Sequence, residues 1–227
     1  MTFRHVTAAN DAIAALNGIE VADTGELASV YEREEYLAWL RGSWNVAAAN
    51  LREYGDESSS ATRTIPIAEA YSRCLAQFIA DHPHDLATIE WRDFERMLAA
   101  VFEGLGFGVT CGPGSKDGGV DLRLTTSSTT YVVQAKHWVS GKRVGGKALQ
   151  ATVTVAMLEG QGSAIVLSTS GFTRNAATVV TSVQRARLRI GGQWEIHSLC
   201  RTYVSVNQGL LQPLDPDAVI RTHTRSL

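Results

Sequence analysis

Long apolar runs are missing from this sequence: no hydrophobic stretch approaches the roughly 18 residues that a membrane-spanning helix needs. A helical membrane protein is therefore not expected. Cysteine is scarce, and Cys74, Cys111 and Cys200 are too far apart for a metal knuckle and odd in number for a disulfide framework. The first twenty residues carry Arg4, His5 and Asp11 where a signal peptide would have its apolar centre, so the cytoplasm is the expected compartment. Internal repeats are absent, and nothing before Phe107 alternates like a strand.

What is present divides in two. The net charge of −2 is small, but residues 1–90 hold 14 Asp and Glu against 6 Lys and Arg, while residues 91–227 hold 9 against 15. A basic half suits a polyanionic partner, and two solvated surfaces of opposite sign would give the same count. The acidic half is helical in pattern. Leu27, Val30, Tyr31, Leu37, Leu40 and Trp44 recur at three-to-four spacing over about 26–52, Gly55 to Thr64 is a loop, and Pro66 opens a helix to about Ala80. A helical region over 1–88 followed by a second domain over 89–227 is the expected organisation.

The second part changes character. A helix is expected over about 90–105, with Trp91, Phe94, Leu98, Val101 and Leu105 on one face and Gly106 as its stop. Strands follow at about 107–111, 120–125 and 131–136, then a helix at 144–159 and a buried strand at 163–169. A further helix is expected to begin in "GFTRNAATVV", with Thr173 as N-cap, and a last strand near Trp194 to Leu199. That order gives an α/β or α+β sandwich whose first strands form a meander.

The stretch "GGVDLRLTTSSTTYVVQAK", Gly118 to Lys136, carries the chemistry. If its turn centres on Ser127 and Ser128, Asp121 falls directly opposite Gln134, and Lys136 sits diagonal to Asp121 on the same exposed face. Val120, Leu122, Val133 and Ala135 would then point into the core. A carboxylate, an amide oxygen and an ammonium at one strand end suit a hard divalent cation and a phosphate. Asp121 would anchor the ion, with the Ala135 carbonyl and the Gln134 amide oxygen as further ligands. Lys136 would orient the attacking water and stabilise charge on phosphorus. On spacing alone, a surface Lys–Asp pair is the simpler reading.

The segments "FERMLAAVFEGLGFGVT", "KDGGVDLRL", "YVVQAKHW" and "STSGFTRNAA" occur in this order over about residues 89–190, and together they resemble the Mrr-like branch of the PD-(D/E)XK restriction-endonuclease superfamily. The resemblance implies an αβββαβ core, a central mixed sheet flanked by helices, and Mg²⁺-dependent hydrolysis of DNA phosphodiesters, with Mn²⁺ as a substitute. It implies that Asp121 is the metal-binding aspartate and Lys136 the catalytic lysine. Gln134 stands at the second acidic position, and Glu95 matches an acid on the preceding helix that points toward the metal. Asp117 is read as a turn residue with an outer role.

Lys116, Lys142, Arg143 and Lys147 surround the hairpin ends and could hold DNA phosphates, although each also reads as a solvated surface charge. Gln150 on the crossover helix is expected to face the site. His137 and Trp138 read as strand-exit residues packing on the sheet. The expected function is a Mg²⁺-dependent endodeoxyribonuclease in restriction or phage defence, acting as a homodimer through the helical first part, with no membrane partner. A nuclease fold that only binds nucleic acid or a partner, or one that cuts RNA or branched DNA, is the alternative.

Overall fold

A computed structural model of the protein describes residues 71–112, 120–138, 141–160 and 162–227, and all structural statements refer to these. The expected elements before residue 71, with Trp44, lie outside them, as do Lys116 and Asp117. The chain divides into two compact units, Met1–Leu75 and Ala76–Leu227.

The second unit opens within a helix (α1, described over residues 71–81) and continues with a 3-10 turn over Pro83–Thr88. Helix α2, Trp91–Gly104, follows because Phe94, Met97, Leu98, Val101 and Phe102 fall on one buried stripe, whereas Trp91, expected on that face, is exposed in the first turn. It stops as Gly106 was expected to stop it. Gly106 has φ of 91°, and its N–H donates to the Glu103 carbonyl while that of Phe107 donates to the Phe102 carbonyl. The Phe102 and Phe107 rings meet edge to face at 5.4 Å, which completes a Schellman ending.

The strands are β1 Gly108–Cys111, β2 Leu122–Thr125, β3 Thr130–Lys136, β4 Ser163–Ser168, β5 Leu188–Gly191 and β6 Arg225–Ser226. They form one mixed sheet in that order. The first three run antiparallel, β3, β4 and β5 run parallel, and β6 is antiparallel to β5. Helix α3, Gly146–Leu158, crosses from β3 to β4 and packs on both strands. On its side of the sheet Val120, Val132, Leu149, Val153 and Val166 make a core cluster. The opposite face is covered by α2 and by α5, Gln193–Asn207. The result is an α/β restriction-endonuclease-like fold with a mixed sheet between helices. Among the described residues, no helix is long and apolar enough to cross a membrane.

Three expectations change. The segment near Trp194 is not a strand but the start of α5, because Ile196, Leu199, Cys200 and Tyr203 are buried at helical spacing. The last parallel strand is the short "LRIG" before it. The "GFTRNAATVV" segment forms only a 3-10 turn at Ala176–Val179, with α4 reduced to Ser182–Arg185, and Thr173 caps nothing. Thr173 instead donates its N–H to the Val144 carbonyl, tying this loop to the one before α3. Stiff β-branched Thr178, Val179 and Val180 do not favour a longer helix there.

At the turn end of the β2–β3 hairpin, Asp217 of α6, Pro216–His223, accepts hydrogen bonds from Tyr131 Oη at 2.8 Å and from the Ser128 hydroxyl. The hydroxyls of Ser128, Tyr131 and Thr126 hold the Asp217 carboxyl below the usual range, and burial with this contact pushes Tyr131 up to about 12. Because the Asp217 pKa is depressed, its contribution is present above the unfolded value and lost as pH falls through the folded one. Asp217→Ala should cost about 1 kcal/mol near neutral pH, a small figure because the residue is only partly buried. Urea unfolding checks this; an unchanged midpoint at pH 7 would mean the clamp contributes nothing.

Candidate functional site

The hairpin has the expected register, with Leu122 opposite Val133, Arg123 opposite Val132 and Leu124 opposite Tyr131. The ladder then breaks at Asp121. Val120 packs on the α3 side with Val132, whereas Leu122, opposite Val133, faces the other layer. Strict alternation would have put Val120 and Leu122 on one face, so their shared inward face is corrected. The Asp121 N–H donates to the Val133 carbonyl at 2.9 Å, so Asp121 and Leu122 both meet Val133 in the manner of a bulge.

The bulge re-aims the carboxylate. Asp121 Oδ2 accepts the Ala135 N–H at 2.7 Å, a bond that replaces the ladder partner β2 no longer supplies. Within a strand the N–H and C=O of one residue point to the same side. The Ala135 carbonyl therefore faces the same edge as Asp121.

Gln134 is not on an exposed face. It is 4% exposed, and its Oε1 accepts a hydrogen bond from the Thr152 hydroxyl of α3 at 2.8 Å. The Cα ladder sets Gln134 beside Val166 of β4, and α3 covers the pair. Burial of an amide under a helix requires such a partner. The expected three-residue exposed face is thereby reduced to Asp121 and Lys136, both half-buried at the strand end. Gln150 is exposed and turned away from Gln134, since two residues along a helix rotate by about 200° and Thr152 is the one that reaches the strand.

Glu95 does approach. It lies half-buried on α2 and its carboxyl is pushed up to about 7, first by burial and then by the Asp121 charge. Arg92, Lys136 and Arg96, in that order, pull it back down. Two carboxylates, an ammonium and two guanidiniums thus act on one another at the end of β3. The repulsion between Glu95 and Asp121 is what a bound cation would relieve, and the oxygen donors on offer, Asp121, Glu95 and the Ala135 carbonyl, suit a hard divalent ion. Among the described residues, no three His, Cys, Asp or Glu side chains gather into a metal-binding group, at this strand end or elsewhere.

The rim is basic. Lys142 and Arg143 are exposed in the loop between β3 and α3, and Lys147 is exposed in the first turn of α3. That loop is strapped to the one after β4 by the Val144–Phe172 bridge and by the Ser170 hydroxyl donating to the Lys142 carbonyl. The Lys142 ammonium lies over the Trp138 ring at 5.4 Å.

Sequence reasoning missed Thr152, Arg92 and Arg96. A signal for Thr152 was present: it is the one hydroxyl on the stripe Leu149, Thr152, Val153 and Ala156, and Gln134 is the one amide in the apolar run of β3. Arg92 and Arg96 carried no signal beyond their charge.

With this geometry, the class of the domain follows from its relatives. Residues 86–194 match the family model for the catalytic domain of Mrr, described as a restriction endonuclease. That match is consistent with the Mrr-like branch of the PD-(D/E)XK superfamily that the sequence motifs resemble. The chain is also 42% identical over 143 residues to an uncharacterized protein of Sinorhizobium fredii, y4cE, an alignment that covers 61% of this chain and 37% of that protein. The chain spans little more than a third of that relative's length.

Proposed function

We propose that the protein is a divalent-metal-dependent endonuclease that hydrolyses phosphodiester bonds of DNA, with a role in restriction or phage defence. The observation that carries this reading is the meeting of the Glu95 and Asp121 carboxylates, the second raising the pKa of the first, beside Lys136 at one strand end. Asp121, Glu95 and the Ala135 carbonyl would hold Mg²⁺ or Mn²⁺. Such an ion, when bound, lowers the pKa of water and offsets phosphate charge.

The chain's own groups do the rest. The bond from Ala135 N–H fixes the Asp121 carboxylate on the edge that faces the Ala135 carbonyl. Lys136 offers an ammonium to the attacking water and to the oxygens that gain charge on phosphorus. Lys142, Arg143 and Lys147, with Lys116, hold backbone phosphates on either side, and Arg92 and Arg96 add positive charge along α2. Gln134 supports the strand through Thr152 and offers its amide to the ion only if that bond rearranges. Asp117 retains the outer role assigned to it.

One such centre cuts one strand, so double-strand breaks call for two copies related by a two-fold axis. The reading keeps residues 1–88 as the module for dimerisation or regulation. Light scattering should give a dimer under conditions where plasmid is linearised; a monomer that linearises plasmid in a single encounter would remove the dimer. The nuclease reading itself is tested by incubating purified protein with modified and unmodified plasmid and with structured RNA, in Mg²⁺ or chelator. Cleavage of plasmid in Mg²⁺ alone supports it, RNA cleavage alone would move the substrate, and no cleavage of any polymer would leave a binding module.

A further inference from the structure

Helix α2 carries Glu95, yet it starts without a side-chain cap, because Glu90 makes no capping bond. Its entry is held from outside. His137, the residue after Lys136, places Nε2 against the Ile89 carbonyl and Nδ1 at 3.0 Å from the Thr169 hydroxyl. A carbonyl can only accept, so Nε2 carries the hydrogen, and Nδ1 accepts from Thr169 Oγ1. The imidazole also stacks obliquely on Phe94, fully buried in the first turns of α2, with ring centroids 5.4 Å apart. Thr169 in turn donates its N–H to the Lys136 carbonyl at 3.1 Å. One ring therefore joins the lead-in of α2, the exit of β3 and the end of β4.

We infer that His137 is a positioning residue, whose ring fixes the Glu95-bearing turn of α2 relative to the Lys136 end of β3. This rests on the nuclease reading above and deepens it. Glu95 and Lys136 come from elements far apart in sequence, and the His137 side chain bonds to the backbone leading into one while following the other in the chain. Side chains outside the reacting set that orient it typically change rates by about 10- to 100-fold. His137 touches neither substrate nor reacting atoms.

The test compares His137→Phe, which keeps an aromatic ring against Phe94 and loses both hydrogen bonds, with Thr169→Val, which removes only the Nδ1 partner. His137→Gln, which can still donate to the Ile89 carbonyl, serves as the rescue. In the full-length protein, three quantities are read: amide exchange at Phe94, Glu95 and Arg96, affinity for plasmid DNA in chelator, and single-turnover cleavage in Mg²⁺. His137→Phe should speed exchange at those three amides selectively and slow cleavage about 10- to 100-fold. DNA affinity should stay unchanged, Thr169→Val should lie between it and wild type, and His137→Gln should recover part of the rate. Wild-type cleavage by His137→Phe, or faster exchange spread evenly over the sheet and α3, would overturn the inference. If the wild-type protein does not cleave, the nuclease reading has failed by itself, and the exchange pattern alone decides whether His137 holds α2.

Discussion

Lys136→Ala should cleave DNA at least about 10²- to 10³-fold more slowly than wild type, the scale of losing one donor aimed at developing charge. Lys136 is half-buried at the end of β3 and contributes little to the core, so the thermal midpoint should move little. Asp121 calls for a more careful variant. Asp121→Ala would strip the acceptor from the Ala135 N–H and disturb the bulge, mixing a structural cost of about 1 kcal/mol with the chemical one. Asp121→Asn keeps an oxygen for that N–H and removes only the charge. It should bind DNA as wild type does, melt no lower than wild type in chelator because its repulsion of Glu95 is gone, and fail to cleave at any Mg²⁺ concentration. Wild-type turnover by Lys136→Ala or Asp121→Asn would take that residue out of the mechanism.

Glu95→Gln should lower activity, raise the Mg²⁺ needed for half-maximal rate, and yet stabilise the metal-free protein. The folded Glu95 carboxyl titrates near about 7 against an ordinary 4.5, so the folded state holds that proton more tightly than the unfolded chain does. Below the unfolded value both states are protonated and Glu95 has no effect. As pH rises toward 7 its ionisation beside Asp121 costs stability, and above 7 the full cost is present. Half-exposure reduces that cost to about 1–2 kcal/mol. In chelator, Glu95→Gln should therefore melt higher than wild type at pH 8 and match it at pH 4. Saturating Mg²⁺ should then stabilise wild type more than the variant, because the ion binds the folded state with one more charge. An unchanged rate, Mg²⁺ midpoint and melting curve would reduce Glu95 to a helix-surface residue and turn the search for a second acid to Asp117. Gln134→Glu belongs beside these variants: buried at Thr152, a new carboxylate there should destabilise the protein unless it reaches the ion.

The parts of this fold fixed by short-range rules were readable in advance. The turn at Ser127 and Ser128 set the register of β2 and β3, and the stop of α2 followed from Gly106. Where neighbours distant in sequence decided, the reading went astray. "WEIHSL" alternates as well as it repeats helically, and only burial of Cys200 and Tyr203 beyond it resolves α5. The site divides in the same way. Asp121 and Lys136 stand out as charges closing an apolar hairpin, and Glu95 was reached through the family resemblance. That Gln134 is sealed by Thr152, and that Asp121 sits on a bulge, depend on α3 and on a break in alternation that strand pattern alone does not reveal.

The central claim is that Asp121, Glu95 and Lys136 form one metal-dependent hydrolytic centre at the end of β3. The most direct measurement is single-turnover cleavage of plasmid across a Mg²⁺ titration, wild type against Asp121→Asn, with DNA affinity held equal by binding in chelator. The account predicts a saturable Mg²⁺ dependence for wild type, loss of cleavage in chelator, and none at any concentration for Asp121→Asn. Equal rates for the two proteins, or wild-type cleavage that persists in chelator, would contradict it.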